Sequence, residues 1–129
     1  MDTENRQLIV LVVDDNTAAA SAIAEQVREL GHQATVVLEA AAAIQSASSD
    51  PPDVVLTDIY MAEMDGYELI RAIRANGGLM PIIAMSGGKE GYDTLGVAKR
   101  LGADAVINKP FRREDLGEVI DRCVGRLQS

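Results

Sequence analysis

Asp14 with Asp15, Asp58, Ser86 and Lys109 each stand at the end of a short apolar run: Leu8 to Val13, Val54 to Thr57, Pro81 to Met85 and Ala103 to Asn108. Carboxylates, a hydroxyl and an ammonium gathered in one place suit phosphoryl chemistry. A carboxylate can attack phosphorus to form an acyl phosphate, which needs in-line placement and charge neutralisation more than a shifted pKa. Three carboxylates together need a cation, because two unit charges about 4 Å apart repel by about 4 kcal/mol at an effective dielectric of about 20. A hard ion such as Mg²⁺ meets that need, with Asp15 and Asp58 as direct ligands and Asp14 acting through water. Lys109 neutralises part of the charge when no metal is bound, and Ser86 can donate to a phosphoryl oxygen where Gly87 leaves room for the group.

Each residue also has an ordinary reading. Asp14 and Asp15 can cap a helix beginning near Asn16 and Thr17, and Asp58 can simply end a strand. Ser86 can form a turn before Gly87 and Gly88, and Lys109 can be solvated. The recurrence of such groups at four strand ends is what argues for one site. A serine hydrolase fits less well, since Ala84-Met85-Ser86-Gly87-Gly88 lacks the G-x-S-x-G elbow and the single histidine precedes the serine. An aspartyl phosphatase would want Asp-x-Asp at the first strand, which Asp14-Asp15-Asn16-Thr17 breaks. His32, expected at the surface of a turn, and Cys123, expected as a small buried hydrophobe, receive no role.

The elements that must position these groups follow from the rest of the chain. Its 129 residues, 47% hydrophobic, suffice for one domain with a full core. A net charge of −8 argues against direct nucleic-acid binding. One Cys and one His leave neither a disulfide framework nor a soft-ligand metal site. No apolar stretch is long enough for a secretory core or a membrane span, so a cytoplasmic protein without membrane insertion is expected.

Strand-like runs alternate with helical spacing in the order βαβαβαβαβα, with Ala34 to Leu38 as the remaining strand. Helices are expected through Ile23, Val27 and Leu30 up to Gly31, around Ala40 to Ala47, and from Asp65 and Gly66 to Asn76 and Gly77. The last is expected behind Arg112 and Arg113, along Leu116, Val119, Ile120, Cys123 and Leu127. Gly87, Gly88, Gly91 and Gly96 predict a short or loosely held fourth helix. Strict alternation predicts an α/β, flavodoxin-like three-layer sandwich: a five-stranded parallel sheet of order 2-1-3-4-5 with five helices.

Val12-Val13-Asp14-Asp15-Asn16, Leu56-Thr57-Asp58, Met64-Asp65-Gly66 and Asn108-Lys109-Pro110-Phe111 are in register with the receiver domains of two-component response regulators. The chain resembles the stand-alone, chemotaxis-regulator-like members along essentially its whole length. The resemblance implies that Asp58 is the phosphoacceptor, Asp15 the chief Mg²⁺ ligand and Asp14 its partner, with the Tyr60 backbone carbonyl completing the metal site. Ser86 resembles the switch hydroxyl, and Lys109 with Pro110 resembles the family's lysine and cis peptide. It further implies a histidine kinase or histidine phosphotransfer protein as donor, a single receiver domain over residues 1–129 with no output domain, and output by binding a downstream protein. Such a chain is no enzyme beyond accepting the phosphoryl group and hydrolysing it.

Three departures from the family pattern stand out. Val106 occupies the place of an aromatic, Ala62 that of a proline, and Tyr60 and Gly88 fill variable positions near the site. The readout face is expected around Val97, Arg100, Val106, Arg112 and Arg113. Two rivals remain open: a binding module indifferent to phosphate, and a relay intermediate that passes the group on to a histidine.

Overall fold

The computed structural model describes residues 6–61, 64–87 and 94–125. Its elements are β1 (Ile9–Val13), α1 (Thr17–Glu29), β2 (Gln33–Val37), α2 (Ala40–Ser49), β3 (Val54–Asp58), α3 (Gly66–Ala75), β4 (Ile82–Ser86), α4 (Thr94–Leu101), β5 (Ala105–Asn108) and α5 (Arg113–Cys123). All pairings are parallel and the order is β2-β1-β3-β4-β5, as predicted. The continuous aliphatic runs of β1, β3 and β4 are those of strands covered on both faces. Alternation along each strand divides the core in two. Leu11, Val13 and Val55 pack under α2 and α3 with Leu69, Ile70 and Ile73, whereas Val10, Val12 and Leu56 pack under α1 and α5 with Leu116 and Ile120.

Local chemistry sets the helix ends. Asn16 caps α1 by accepting from the Ala19 N–H at 2.9 Å, and Gly31 at φ +92° follows its last turn. Asp65 caps α3 by accepting from the Glu68 N–H at 2.9 Å. Among the described residues α4, with 8 residues, is the shortest helix. The last helix begins one residue earlier than expected, at Arg113, because the Asp115 carboxylate accepts from the Arg112 N–H at 3.3 Å and makes Arg112 the cap. β5 begins at Ala105 instead of Ala103, since the Ala103 N–H closes the end of α4 on the Ala98 carbonyl at 2.9 Å. His32 is half-buried and not a plain surface residue: its Nδ1 accepts from the Leu8 N–H at 3.1 Å. Cys123 is likewise only half-buried. Ala62, Gly88, Gly91 and Leu127 lie outside the described residues.

At the amino edge of the sheet, Arg74 ties together pieces that no strand joins. Its guanidinium donates to the carbonyls of Gly102 (2.9 Å), Gly78 (3.0 Å) and Met80 (2.7 Å) and to Asp104 Oδ2 (3.0 Å). The same Asp104 oxygen accepts from the Ile82 N–H at 2.8 Å, so the end of α3, the start of β4 and the end of α4 are held as one body.

Candidate phosphoryl-transfer site

Register brings the predicted residues to one edge. Val13 pairs with Thr57, so Asp14 and Asp58 emerge side by side where the sheet order reverses direction. Asp58 pairs with Met85, and Ser86 pairs with Asn108, which sets Lys109 one residue past the end of β5. Oxygens of Asp14, Asp15 and Asp58 lie within 4.8 Å of one another. Lys109 Nζ reaches both inner carboxylates, at 2.9 Å from Asp14 Oδ2 and 3.3 Å from Asp58 Oδ2. Asp14 Oδ1 accepts from the Asn16 N–H at 3.0 Å, and the Tyr60 N–H donates to Asp58. Helix capping thus belongs to Asn16, and the alternative that Asp14 and Asp15 serve as caps is set aside.

Burial is graded across the cluster. Asp14 and Asp58 side chains are 1% and 15% exposed, while Asp15 is exposed to solvent. Ser86 is buried, and its carbonyl accepts from the Lys109 N–H at 2.6 Å. The Lys109–Pro110 peptide is cis.

Burial holds the Asp58 carboxyl above its ordinary 3.8; Lys109 opposes that shift, the charge of Asp14 adds to it, and the Tyr60 N–H opposes it. For Lys109, burial pulls the ammonium down, but the hydrogen bond to Asp14 and the charges of Asp58 and Asp14 outweigh it and raise the group above 10.5. The two groups differ in what wins: burial prevails over the lysine at Asp58, whereas at Lys109 the attraction of two carboxylates prevails over burial. Three carboxylates against one ammonium leave the cluster at −2 when all are ionised. An all-oxygen donor set with that charge fits a hard divalent cation such as Mg²⁺.

Two features of the surroundings were not read from the sequence. An apolar groove of about 480 Å³ runs beside Lys109 and Gly87, between α1 (Ala19, Ala22, Ile23) and Phe111. The Gln26 side-chain amide, which also lines it, donates to the Phe111 carbonyl at 3.2 Å. The alanines that open α1 were the signal available. The second is the packing of Thr57 and Gly66 around the Asp58 backbone, visible only as interatomic contact.

The family model described as "Response regulator receiver domain" matches residues 10–121. The transcriptional regulatory protein PrrA of Mycobacterium tuberculosis is 31% identical over 111 residues, 86% of this chain and 47% of that protein. The sensor histidine kinase RcsC of Escherichia coli is 30% identical over 126 residues, 98% of this chain and 13% of the kinase. The chain therefore spans about half the length of PrrA and a small part of RcsC. Among solved structures, the receiver domain of the sensor histidine kinase PA1611 from Pseudomonas aeruginosa, with magnesium coordinated in its active site cleft, superposes with a TM-score of 0.83 at 31% identity. That match covers 93% of this chain and 99% of that domain. The chemotaxis protein CheY4 of Vibrio cholerae, at 23% identity over 92% of this chain and 99% of its own, shares the fold with a TM-score of 0.83.

Proposed function

The chain belongs to the response regulator receiver domain family, and from that premise we propose that it takes one phosphoryl group onto Asp58 from a phosphohistidine and signals by binding another protein. The observation that carries this reading is the Lys109 ammonium bridging Asp14 and Asp58, with Asp15 beside them, at the carboxyl edge of the sheet. An Asp58 oxygen attacks phosphorus, the new P–O bond forms as the P–N bond breaks, and the departing imidazole takes up a proton. Lys109 stabilises charge on Asp58, and the Tyr60 N–H helps hold the carboxylate. Ser86, buried at the end of β4, is the hydroxyl assigned to the transferred phosphoryl group.

Asp14, Asp15, Asp58 and the Tyr60 carbonyl are the residues assigned to Mg²⁺, which when bound neutralises charge on the transferring group. A histidine kinase or histidine phosphotransfer protein is the assigned donor. The groove between α1 and Phe111 supports that assignment, since it opens beside Lys109 and offers apolar surface to a donor helix. Output is assigned to the face of α4, β5 and α5. There a cleft of about 460 Å³ is lined by Leu95, Lys99, Val106, Glu118 and Arg122, so Val106 is the member of the expected readout set that borders it. No turnover on other substrates is assigned, only acceptance and self-hydrolysis. Among the described residues no helix is long and apolar enough to cross a membrane, and the cytoplasm is the assigned place of action.

Acetyl phosphate with Mg²⁺, followed by intact mass, tests the reading. One labile phosphoryl increment in the natural sequence, lost in Asp58→Asn, is expected. Equal increments in both proteins, or none from a phosphohistidine donor with Mg²⁺ bound, would refute it. A relay role has its own support in the similarity to receiver segments of two sensor histidine kinases. In that case the phosphorylated chain would transfer its group to a histidine phosphotransfer protein faster than it hydrolyses.

A further inference from the structure

We infer that Thr57 and Gly66 are positioning residues that together fix the Asp58–Ile59 peptide between β3 and α3 and so set where Asp58 and Tyr60 present their oxygens to the divalent cation. This deepens the metal-assisted reading above and rests on it. Thr57 is fully buried, and its strand neighbours Val13 and Ala84 belong to the apolar layer under α2 and α3. Its Oγ1 donates to the Asp58 carbonyl at 3.0 Å. A hydroxyl in such surroundings is costly unless it is bonded, so the contact locks the threonine rotamer and the peptide to each other.

Gly66 meets the same carbonyl from the start of α3. As the first residue of α3, its N–H donates to the Ile59 carbonyl at 2.5 Å. A Cβ at position 66 would overlap the Asp58 carbonyl oxygen and lie 2.7 Å from Ile59 Cα, both of them backbone atoms with no rotamer to escape into. The need for glycine here is contact, not conformation, because Gly66 is absent from the positive-φ residues. Nor can α3 withdraw at little cost. Asp65 caps it, and Leu69 and Ile70 in its next turn are completely buried. On the strand side, the Ile59 N–H is bound to the Met85 carbonyl at 3.2 Å. A side chain at 66 must therefore move the peptide that precedes Tyr60, whose N–H already holds the Asp58 carboxylate.

The test uses the whole chain and Mg²⁺ alone, with affinity from calorimetric titration and the Tyr60 amide followed by NMR in the metal-free protein. Gly66→Ala is expected to weaken Mg²⁺ binding about tenfold, the usual cost of disturbing groups that orient metal ligands. Thr57→Val, nearly isosteric, is expected to weaken it about fivefold through the loss of one hydrogen bond. Both should shift the Tyr60 amide resonance. Gly117→Ala is the control, because its Cβ would meet only the Leu30 side chain, 2.9 Å from a terminal carbon. It should leave both readouts as in the natural sequence. If Gly66→Ala does not fold, Thr57→Val decides. Natural affinity and an unmoved Tyr60 amide in the folded variants would overturn the positioning role while leaving the metal site intact. Failure of the natural sequence to bind Mg²⁺ would overturn the metal site itself and the positioning role with it.

Discussion

Replacing Asp58 with Asn should stabilise the metal-free protein at neutral pH by about 1–2 kcal/mol. At 4.8 Å or less from Asp14, and at an effective dielectric of about 20, the ionised Asp58 carboxylate is repelled by about 3.5 kcal/mol. Asp15 is exposed, and water screens its contribution to about 1 kcal/mol. Lys109 at 3.3 Å returns about 5 kcal/mol, so the charges nearly cancel and burial decides the sign. Removing a 15%-exposed carboxylate from water costs several kcal/mol, whereas an asparagine amide in its place costs about 1–3 kcal/mol, a difference on the order of 1–2 kcal/mol in favour of asparagine. Lys109 keeps its 2.9 Å partner Asp14.

The pH dependence follows from the raised pKa. Asp58 binds its proton more tightly folded than unfolded, so its unfavourable contribution is absent below 3.8, grows as pH rises toward the raised value, and is complete above it. Urea unfolding in EDTA from pH 3.5 to 8 should therefore show the variant's advantage opening with pH. Saturating Mg²⁺ should then favour the natural sequence, which gains about 2.7 kcal/mol at a hundredfold excess over its dissociation constant. An Asp58→Asn protein less stable than the natural one in EDTA at pH 7 would refute the balance and show that the Lys109 attraction wins.

Lys109→Met should destabilise the metal-free protein by about 2–3 kcal/mol in thermal melts at pH 7, below the full cost of breaking a buried pair because the lysine is a quarter exposed. Lysine's contribution is fully present below pH 10.5 and is lost as pH rises through its raised value, so the deficit should hold from pH 7 to 10 and shrink above. Arg74→Met removes the donor to three carbonyls and a carboxylate, and should lower the urea midpoint by an equivalent of about 2–4 kcal/mol with an unchanged slope. Mg²⁺ affinity should stay as it is, since Arg74 sits at the opposite sheet edge. Burial holds the Cys123 thiol above its ordinary 9.0, with the charge of Asp104 adding and Arg122 opposing, so a disulfide reagent at pH 7.5 should react slowly until urea unfolds the chain.

The sheet and the inner site were legible because parallel α/β topology converts sequence position into place. Once Leu8 to Val13 and Val54 to Thr57 are read as neighbouring strands, the residues that follow them must share an edge. The strand and helix limits were less legible at Ala103, Leu8 and Arg113, where the deciding bonds come from Ala98, His32 and Asp115. His32 shows the same limit: nothing in Gly31-His32-Gln33 says that the ring accepts from a residue 24 positions earlier. Arg74 reads as one more charge on the third helix, yet four acceptors from two connections, α3–β4 and α4–β5, converge on it. Motifs record which groups do chemistry, whereas positioning resides in contacts between backbones, as at Gly66, that no periodicity encodes.

The position of Lys109 links the site's chemistry to its surface. Its ammonium is closer to Asp14, at 2.9 Å, than to Asp58, at 3.3 Å. A phosphoryl group on Asp58 replaces one negative charge with nearly two. Asp14 meanwhile keeps its Oδ1 bond to the Asn16 N–H. The attraction on Lys109 must then tilt toward position 58. The lysine's own N–H is bound to the Ser86 carbonyl at 2.6 Å, so the pull acts on the ends of β4 and β5 together. β5 continues into the cleft that Val106 shares with α4 and α5. Under the proposed function, a change of charge at Asp58 would reach that face through the Lys109 N–H bond to the Ser86 carbonyl and the β4–β5 pairing, a route in which Val106 itself takes no part.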